Sequence, residues 1–535
     1  MSYRCGRVWA LLGLWDRIES GEVAISGNDY RAKQARRNRE IKYRKTLDKP
    51  LRQLSNMERK QLDKGLNGYL VIEDPPCILC ARINHATHQL MWIDIRNHGI
   101  QTVGEVKQGR QTVDWLAEWI GDVYETCVAN QLTALKATAG SQALAAWKHA
   151  YNRSNVYVHG HSRVGECEHK GYVGGRCEAY RLGTCAAAHY HLDVRSSYGR
   201  ICVDTRLPVR LSDFYKRDDF SATDKRDIYA SAIATASIET SEPAYPYRRG
   251  EDVIYPVGCF TTTLCGPELV DAYDKGRLRG VKNICVYDCE YALRDYAERI
   301  YSLRCVAHHR GKRGLEEWCK RLLVSLPGKL NQKYRQWTEC PEKWSDLLYG
   351  EWYETDANQH TDRYRSISGN IQRDTVNGYA YDTVPAMSAF ITSAGRMLLL
   401  NYIRCAGWPN VYYVDTDSIF TNDVGYERLQ AAGYIQKGEL GKLEIRAVNF
   451  GVEFRGIKYY IEDGHVTCAG LPKGEVVDVG DGRSYYRRLT PTEQIRLGRA
   501  PASEIITGVY QRADVYTHGD VQPDGSVKPI TLSEW

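Results

Sequence analysis

Between Tyr413 and Ser418 the chain reads Tyr413-Val414-Asp415-Thr416-Asp417-Ser418, placing two carboxylates on alternate residues. In an extended strand alternate side chains face the same way, so Asp415 and Asp417 can point together from a hairpin tip. Carboxylates this close repel unless a cation lies between them, and hard oxygen ligands favour magnesium. A third acid, Asp193, stands at the end of another extended run, Ala188 to Val194. The three together can hold a pair of divalent ions, one activating a hydroxyl and the other neutralising a polyphosphate and its leaving group. A lone Asp-Thr-Asp is usually a surface turn, so its surroundings must decide the reading.

Those surroundings are mixed. Val411–Val414 and Ser418–Phe420 read as two short strands about the tight turn, and 188–194 as a strand ending at its carboxylate. Pro385 to Cys405 reads as a long helix whose apolar face carries Met387, Phe390, Ile391, Ala394, Met397 and Leu398. Leu315 to Leu326 is helical by the spacing of Leu315, Trp318, Leu322, Leu323 and Leu326. Asp114 to Ala150 reads as helix interrupted near Thr138-Ala139-Gly140-Ser141. The expected class is α+β, with an antiparallel sheet carrying the acids.

At 535 residues, 26% charged and 43% hydrophobic, the chain has room for several packed units. No run approaches the ~20 apolar residues that span a bilayer, so no membrane partner is expected. The net charge of +6 is modest, but Arg31 to Lys64 is densely basic, which fits either phosphate contact or a solvated helix. Seventeen cysteines without a regular framework point to reduced thiols and a cytoplasmic or similarly reducing compartment. Cys77 and Cys80 with His85 and His88 contain zinc-ligand types, yet the gap between the pairs is too short to wrap a tetrahedral ion. Tyrosine, at 38 against 7 phenylalanines, offers both a stacking face and a hydroxyl.

In order along the chain, these motifs resemble those of family B DNA polymerases. The hairpin resembles the YxDTDS motif, and Asp193, Ser196 and Tyr198 match DxxSLYP, with Ser197 in place of Leu and Gly199 in place of Pro. The resemblance makes Asp193, Asp415 and Asp417 ligands of two magnesium ions, with manganese as a substitute. It places Ser196 and Tyr198 at the nucleotide, with Tyr198 under the incoming sugar as a ribose filter. Lys320 matches the lysine of Kx3NSxYG, implying contact with the triphosphate and proton donation to the leaving group, although Val324 replaces Asn and Pro327 replaces Tyr. Pro327 is expected to stop the helix. Tyr172, Gly174 and Gly175 match the YxGG motif of the protein-primed branch and imply template-strand contact, while Lys458 and Tyr460 match KxY and imply a grip on the primer end.

The implied architecture is a right hand of palm, fingers and thumb. Residues 1–135 form a basic, shortened or degenerate exonuclease-like domain, 136–192 a connector with the YxGG-like loop, 193–460 palm and fingers with insertions, and 461–535 the thumb. Asp122 falls at the final exonuclease aspartate, but Glu118 stands where a tyrosine is usual. Asp94 lies in a remnant of an earlier motif, and no DxE strand precedes it. Within 213–247 an insertion is expected to dock a terminal priming protein, and within 336–383 another to enclose the template. The implied partners are DNA template and primer, dNTPs and that priming protein, in a phage, virus or linear plasmid. The rival readings are a primer-independent polymerase and a non-catalytic DNA-binding descendant.

Overall fold

The strand-forming residues at 189–194 and 411–415, with 418–421 buried on both faces, build the sheet that carries the acids. The computed structural model describes most of residues 122–468 and 516–534, with further strands at Tyr69–Asp74, Cys77–Asn84, Gln89–Asp94, Gly99–Glu105, Ser484–Arg488 and Ile505–Val509. The basic stretch 31–64 and the zinc candidates His85 and His88 lie outside the described residues.

Five antiparallel strands make the central sheet: β1 (Cys177–Ala179), β2 (His189–Val194), β3 (Val411–Asp415), β4 (Ser418–Thr421) and β5 (Leu443–Asn449). Their spatial order is β5-β2-β4-β3-β1, so the two acid-bearing segments come from distant parts of the sequence and meet at β4. One face packs Leu192, Val194, Val414 and Ile419 against Leu399, Tyr402 and Ile403 of a long helix. The other is covered by the hairpin of β6 (Val452–Gly456) and β7 (Tyr459–Glu462), through Tyr413, Phe420, Phe454 and Tyr460.

A second sheet, ordered 531–533, 257–265, 232–240, 278–290 and 207–217, is antiparallel except where Thr531–Ser533 runs parallel to Val257–Cys265. Three helices matter most to the site: α1 (Ser197–Asp204), α2 (Arg313–Leu330) and α3 (Pro385–Ala406). Between α2 and α3 the chain forms a four-stranded antiparallel sheet over 333–379. Strands and helices both contribute substantially, in keeping with an α+β class.

Several sequence expectations need correction. The helix break expected near Thr138–Ser141 lies just ahead of it, with 130–133 non-helical, and Thr138 starts the next helix: its hydroxyl accepts the Ser141 N–H at 3.1 Å and caps Ala139–Ala146. Pro327 does not stop α2, which runs on to Leu330. Proline forfeits only its own bond to the upstream Leu323 carbonyl, and the Ser388 hydroxyl donates to the Pro327 carbonyl at 2.7 Å. α3 is buried on every side over 385–393, Ser388, Thr392 and Ser393 included, and exposes Asn401 only near its far end, so its first half is a central helix, not a one-faced one. The boundary expected at 192/193 cuts β2, and that at 460/461 cuts β7, because hydrogen-bonded ladders cross both.

Candidate active site

The β3–β4 hairpin closes through Thr416 and Asp417, with Asp415 opposite Ser418. Thr416 adopts a left-handed conformation at φ 60°, which a β-branched residue takes only when its surroundings hold it there. The surroundings are explicit. The Thr416 N–H donates to the Arg176 carbonyl at 2.6 Å, and its hydroxyl donates to Asp415 Oδ1 at 2.9 Å. On the next strand Asp193 lies opposite Ser418, and the Val194 N–H donates to the Asp417 carbonyl at 2.8 Å. Asp193 and Asp415 therefore flank Ser418 on one rung of the sheet, and Asp417 lies in the turn beside them.

Electrostatics follow from that crowding. Asp417 is pushed up to about 7 by burial and by the charges of Asp193 and Asp415, while Lys320 and Lys458 pull the other way. Burial also raises Asp193; Arg446, His191 and Lys320 oppose the rise and Glu444 adds to it. Lys458 sits at the β6–β7 turn with φ 52°, and its Nζ lies 2.8 Å from Asp415 Oδ1. Its backbone N–H donates to the Tyr413 hydroxyl at 2.6 Å, fixing the turn over β3. Burial works against the charge on Lys458, and its contact with Asp415 more than restores it.

Such a cluster suits divalent cations chemically: its oxygens are hard, and one carboxyl is held back from ionising by burial and by its acidic neighbours. Among the described residues no three His, Cys, Asp or Glu side chains gather closely enough to hold a metal ion by themselves. Magnesium commonly uses only one or two carboxylates and completes its shell with water and substrate phosphates, so the donor set fits an ion that arrives with a polyphosphate.

The Tyr172–Gly175 segment lies directly against the hairpin. A Cβ on Gly175 would meet Thr416 Cγ2 at 2.7 Å, so glycine is required there by close approach. Gly174 is exposed, and its carbonyl accepts from Arg396 Nη1 at 2.9 Å. The same Nη1 donates to the Val173 carbonyl, and Arg396 Nε meets Glu268 Oε1 at 2.8 Å. Tyr172 and Tyr198 are both partly buried against the same helical core, and burial followed by the charge of Asp417 raises the Tyr198 hydroxyl.

Ser196 caps α1 from the left-handed region, and its hydroxyl accepts a hydrogen bond from Arg304. Lys320 is exposed on α2, close enough to Asp193 and Asp417 to act on both. One turn further, Val324 is 49% exposed, leaving an apolar side chain where the resemblance implies asparagine. Tyr460 is placed differently from its partner Lys458: it is 6% exposed and its ring packs 5.3 Å from Phe420 and 5.4 Å from Tyr413. Asp122 pairs with Lys312 just before α2, and the Asp94 side chain and Glu118 lie outside the described residues. Sequence reasoning missed Arg176, Arg304 and Arg396, since an isolated arginine gives no sign that it will be buried or paired.

Comparison with known proteins gives a family match over part of the chain. Residues 116–367 match the family described as DNA polymerase type B, organellar and viral. Among solved structures, phi29 DNA polymerase with primer-template DNA and incoming nucleotide is 16% identical, over 66% of this chain and 63% of that one, with a TM-score of 0.47. The phi29 post-translocation binary complex is 15% identical, over 78% and 70% of the two chains, with a TM-score of 0.48. The phi29 complex with single-stranded DNA is 16% identical, over 71% and 67%, with a TM-score of 0.46. The chain thus spans less than two thirds of the first of these structures. No curated protein matches.

Proposed function

From the match of residues 116–367 to the organellar and viral type B DNA polymerases, we propose that this chain belongs to that family and extends a primer by template-directed addition of dNTPs. The observation that carries this reading is the placement of Asp193 and Asp415 on either side of Ser418, with Asp417 in the adjoining turn and Lys320 acting on two of the three.

Asp193, Asp415 and Asp417 would hold two magnesium ions, whose chemistry when bound is to activate the primer 3′-hydroxyl and neutralise the triphosphate and departing pyrophosphate. Lys320, free to reach outward from α2, places a cation on the triphosphate and can give the leaving group a proton. Tyr198, backed by the same core as Tyr172, fills the space beneath the sugar and disfavours a 2′-hydroxyl. Ser196 orients that helix start through Arg304. Exposed Gly174 allows a strand to approach the backbone, and Lys458 guides the primer end to Asp415. Tyr460 contributes by seating the turn that carries Lys458, through its packing on Tyr413 and Phe420.

The YxGG-like segment favours protein priming: a terminal protein would supply the first hydroxyl and dock near the 207–240 strands, and the 333–379 sheet would help enclose the template. The Asp122–Lys312 pair favours a domain without proofreading, because that carboxylate is already engaged. Extension of a primed template with magnesium and dNTPs, wild type against Asp415→Asn, tests the core proposal. Extension by the wild type alone supports it. Failure of both, with DNA binding intact and with a terminal protein supplied, overturns it in favour of a non-catalytic DNA-binding role.

A further inference from the structure

Arg176 follows the Tyr172–Gly175 segment immediately and is completely buried. Burying a guanidinium is costly unless its charge and hydrogen bonds are matched, so such a residue demands an account of what it holds. Here it reaches in two directions. Its carbonyl accepts the Thr416 N–H at 2.6 Å, the contact that secures the turn between Asp415 and Asp417. Its side chain reaches away from that turn. Nε donates to Glu178 Oε2 at 2.6 Å and Nη2 to the Pro243 carbonyl at 2.6 Å, while the guanidinium lies 4.1 Å from the Tyr255 ring centroid and 5.4 Å from that of Trp408.

Pro243 and Tyr255 both lie between the 232–240 and 257–265 strands of the second sheet, whereas Glu178 lies in β1 opposite Val414. The Tyr180 hydroxyl donates to the same Glu178 oxygen at 2.8 Å, so the carboxylate cannot follow the arginine elsewhere without breaking a second bond. One residue thus connects the acid-bearing turn to both the sheet it grows from and the sheet beside it.

We infer that Arg176 is a positioning residue, which fixes the height and tilt of the Asp415–Asp417 turn by clamping its backbone partner between the two sheets. The inference rests on the polymerase reading for its catalytic consequence, but not for its structural one. A planar fork is needed, since one group must bond Glu178 and Pro243 while stacking on Tyr255, which an ammonium cannot do.

The test uses the full chain with Arg176→Met combined with Glu178→Gln, which removes both charges and keeps side-chain bulk, and Arg176→Lys alone in case the pair does not fold. Hydrogen exchange of the 411–421 peptides and single-turnover primer extension are both read. The expected result is about tenfold faster exchange in the hairpin, with a kcat loss of ~10–100-fold and an unchanged KM for dNTP, as for a reacting group displaced by about 1 Å. Arg176→Lys should show both effects at reduced size. Wild-type exchange in the hairpin together with wild-type kcat in a folded variant overturns the inference; so does a drop in melting temperature with neither change, which is what a purely structural ion pair would give. Absence of extension by the wild type itself would count against the polymerase reading, and hairpin exchange alone would then decide the role of Arg176.

Discussion

Replacing Gly175 by alanine puts the smallest possible side chain into the tightest contact at the candidate site. The new Cβ would stand 2.7 Å from Thr416 Cγ2, 3.0 Å from its Oγ1 and 3.1 Å from its Cβ. Comfortable carbon–carbon separation is about 3.5–4.0 Å, so one side must retreat by roughly 1 Å. Rotating Thr416 is a poor escape, because its hydroxyl is engaged by Asp415 Oδ1 at 2.9 Å. The hairpin itself should therefore shift, costing about 1–3 kcal/mol as overpacking does. If Asp415 and Asp417 move with it, the extension rate should fall about 100-fold. Urea denaturation and single-turnover extension measure the two effects. Thr416→Gly removes all three of these atoms and suits the φ of 60°, so the double variant should recover most of both losses. Gly175→Ala at wild-type stability and rate would refute the close-approach argument. A rate loss that Thr416→Gly leaves untouched would show that the glycine serves the DNA strand instead.

Asp417→Asn should stabilise the protein in EDTA at pH 8.5 while abolishing extension. A carboxyl raised from 3.8 to about 7 opposes folding once it ionises: the penalty is absent below about pH 4, grows through the interval and is complete above about pH 7. About three units set a ceiling near 4 kcal/mol, which partial exposure reduces to about 1–2 kcal/mol. The gain should shrink as the pH is lowered toward 4, and a wild type more stable than the variant at pH 8.5 would count against the crowding argument. Lys320→Ala should lower kcat/KM for dNTP by about 10–100-fold and leave stability within about 0.5 kcal/mol, since the side chain is exposed; unchanged kinetics would remove Lys320 from the site. Tyr460→Ala should cost about 3–5 kcal/mol in denaturation because its ring is enclosed by Phe420, Tyr413 and Phe454, and a loss of primer affinity with stability unchanged would contradict that placement.

Much of this arrangement was readable because it rests on short periods. A strand alternates every second residue, so Asp415, Asp417 and Asp193 could be put on strand ends from local sequence alone. α3 was readable as a helix, but the burial of its polar positions was not, since Ser388 and Arg396 look like an outward face until their partners come from distant segments. Lys458 and Tyr460 resist sequence reading for a related reason: side chains two apart at a turn diverge, one meeting Asp415 and the other an aromatic cluster. Arg176 and Arg396 are the extreme case. Only the folded chain supplies the carbonyls and carboxylates that make a buried guanidinium tolerable.

β2 and β4 lie side by side, yet the chain travels from one to the other through four strands of the second sheet, the helix preceding α2, α2 itself, the 333–379 sheet and α3. Closure entropy grows only with the logarithm of that excursion, so doubling its length costs ~0.6 kcal/mol. Material can therefore be added to or removed from the middle of this chain over evolutionary time at small thermodynamic cost, while the pairing of Asp193 with Ser418 stays in register. The penalty falls on kinetics, because β2 must wait with unpaired edges until β4 and β5 arrive. A lineage that lengthens this excursion gains freedom to change partners and loses speed of folding.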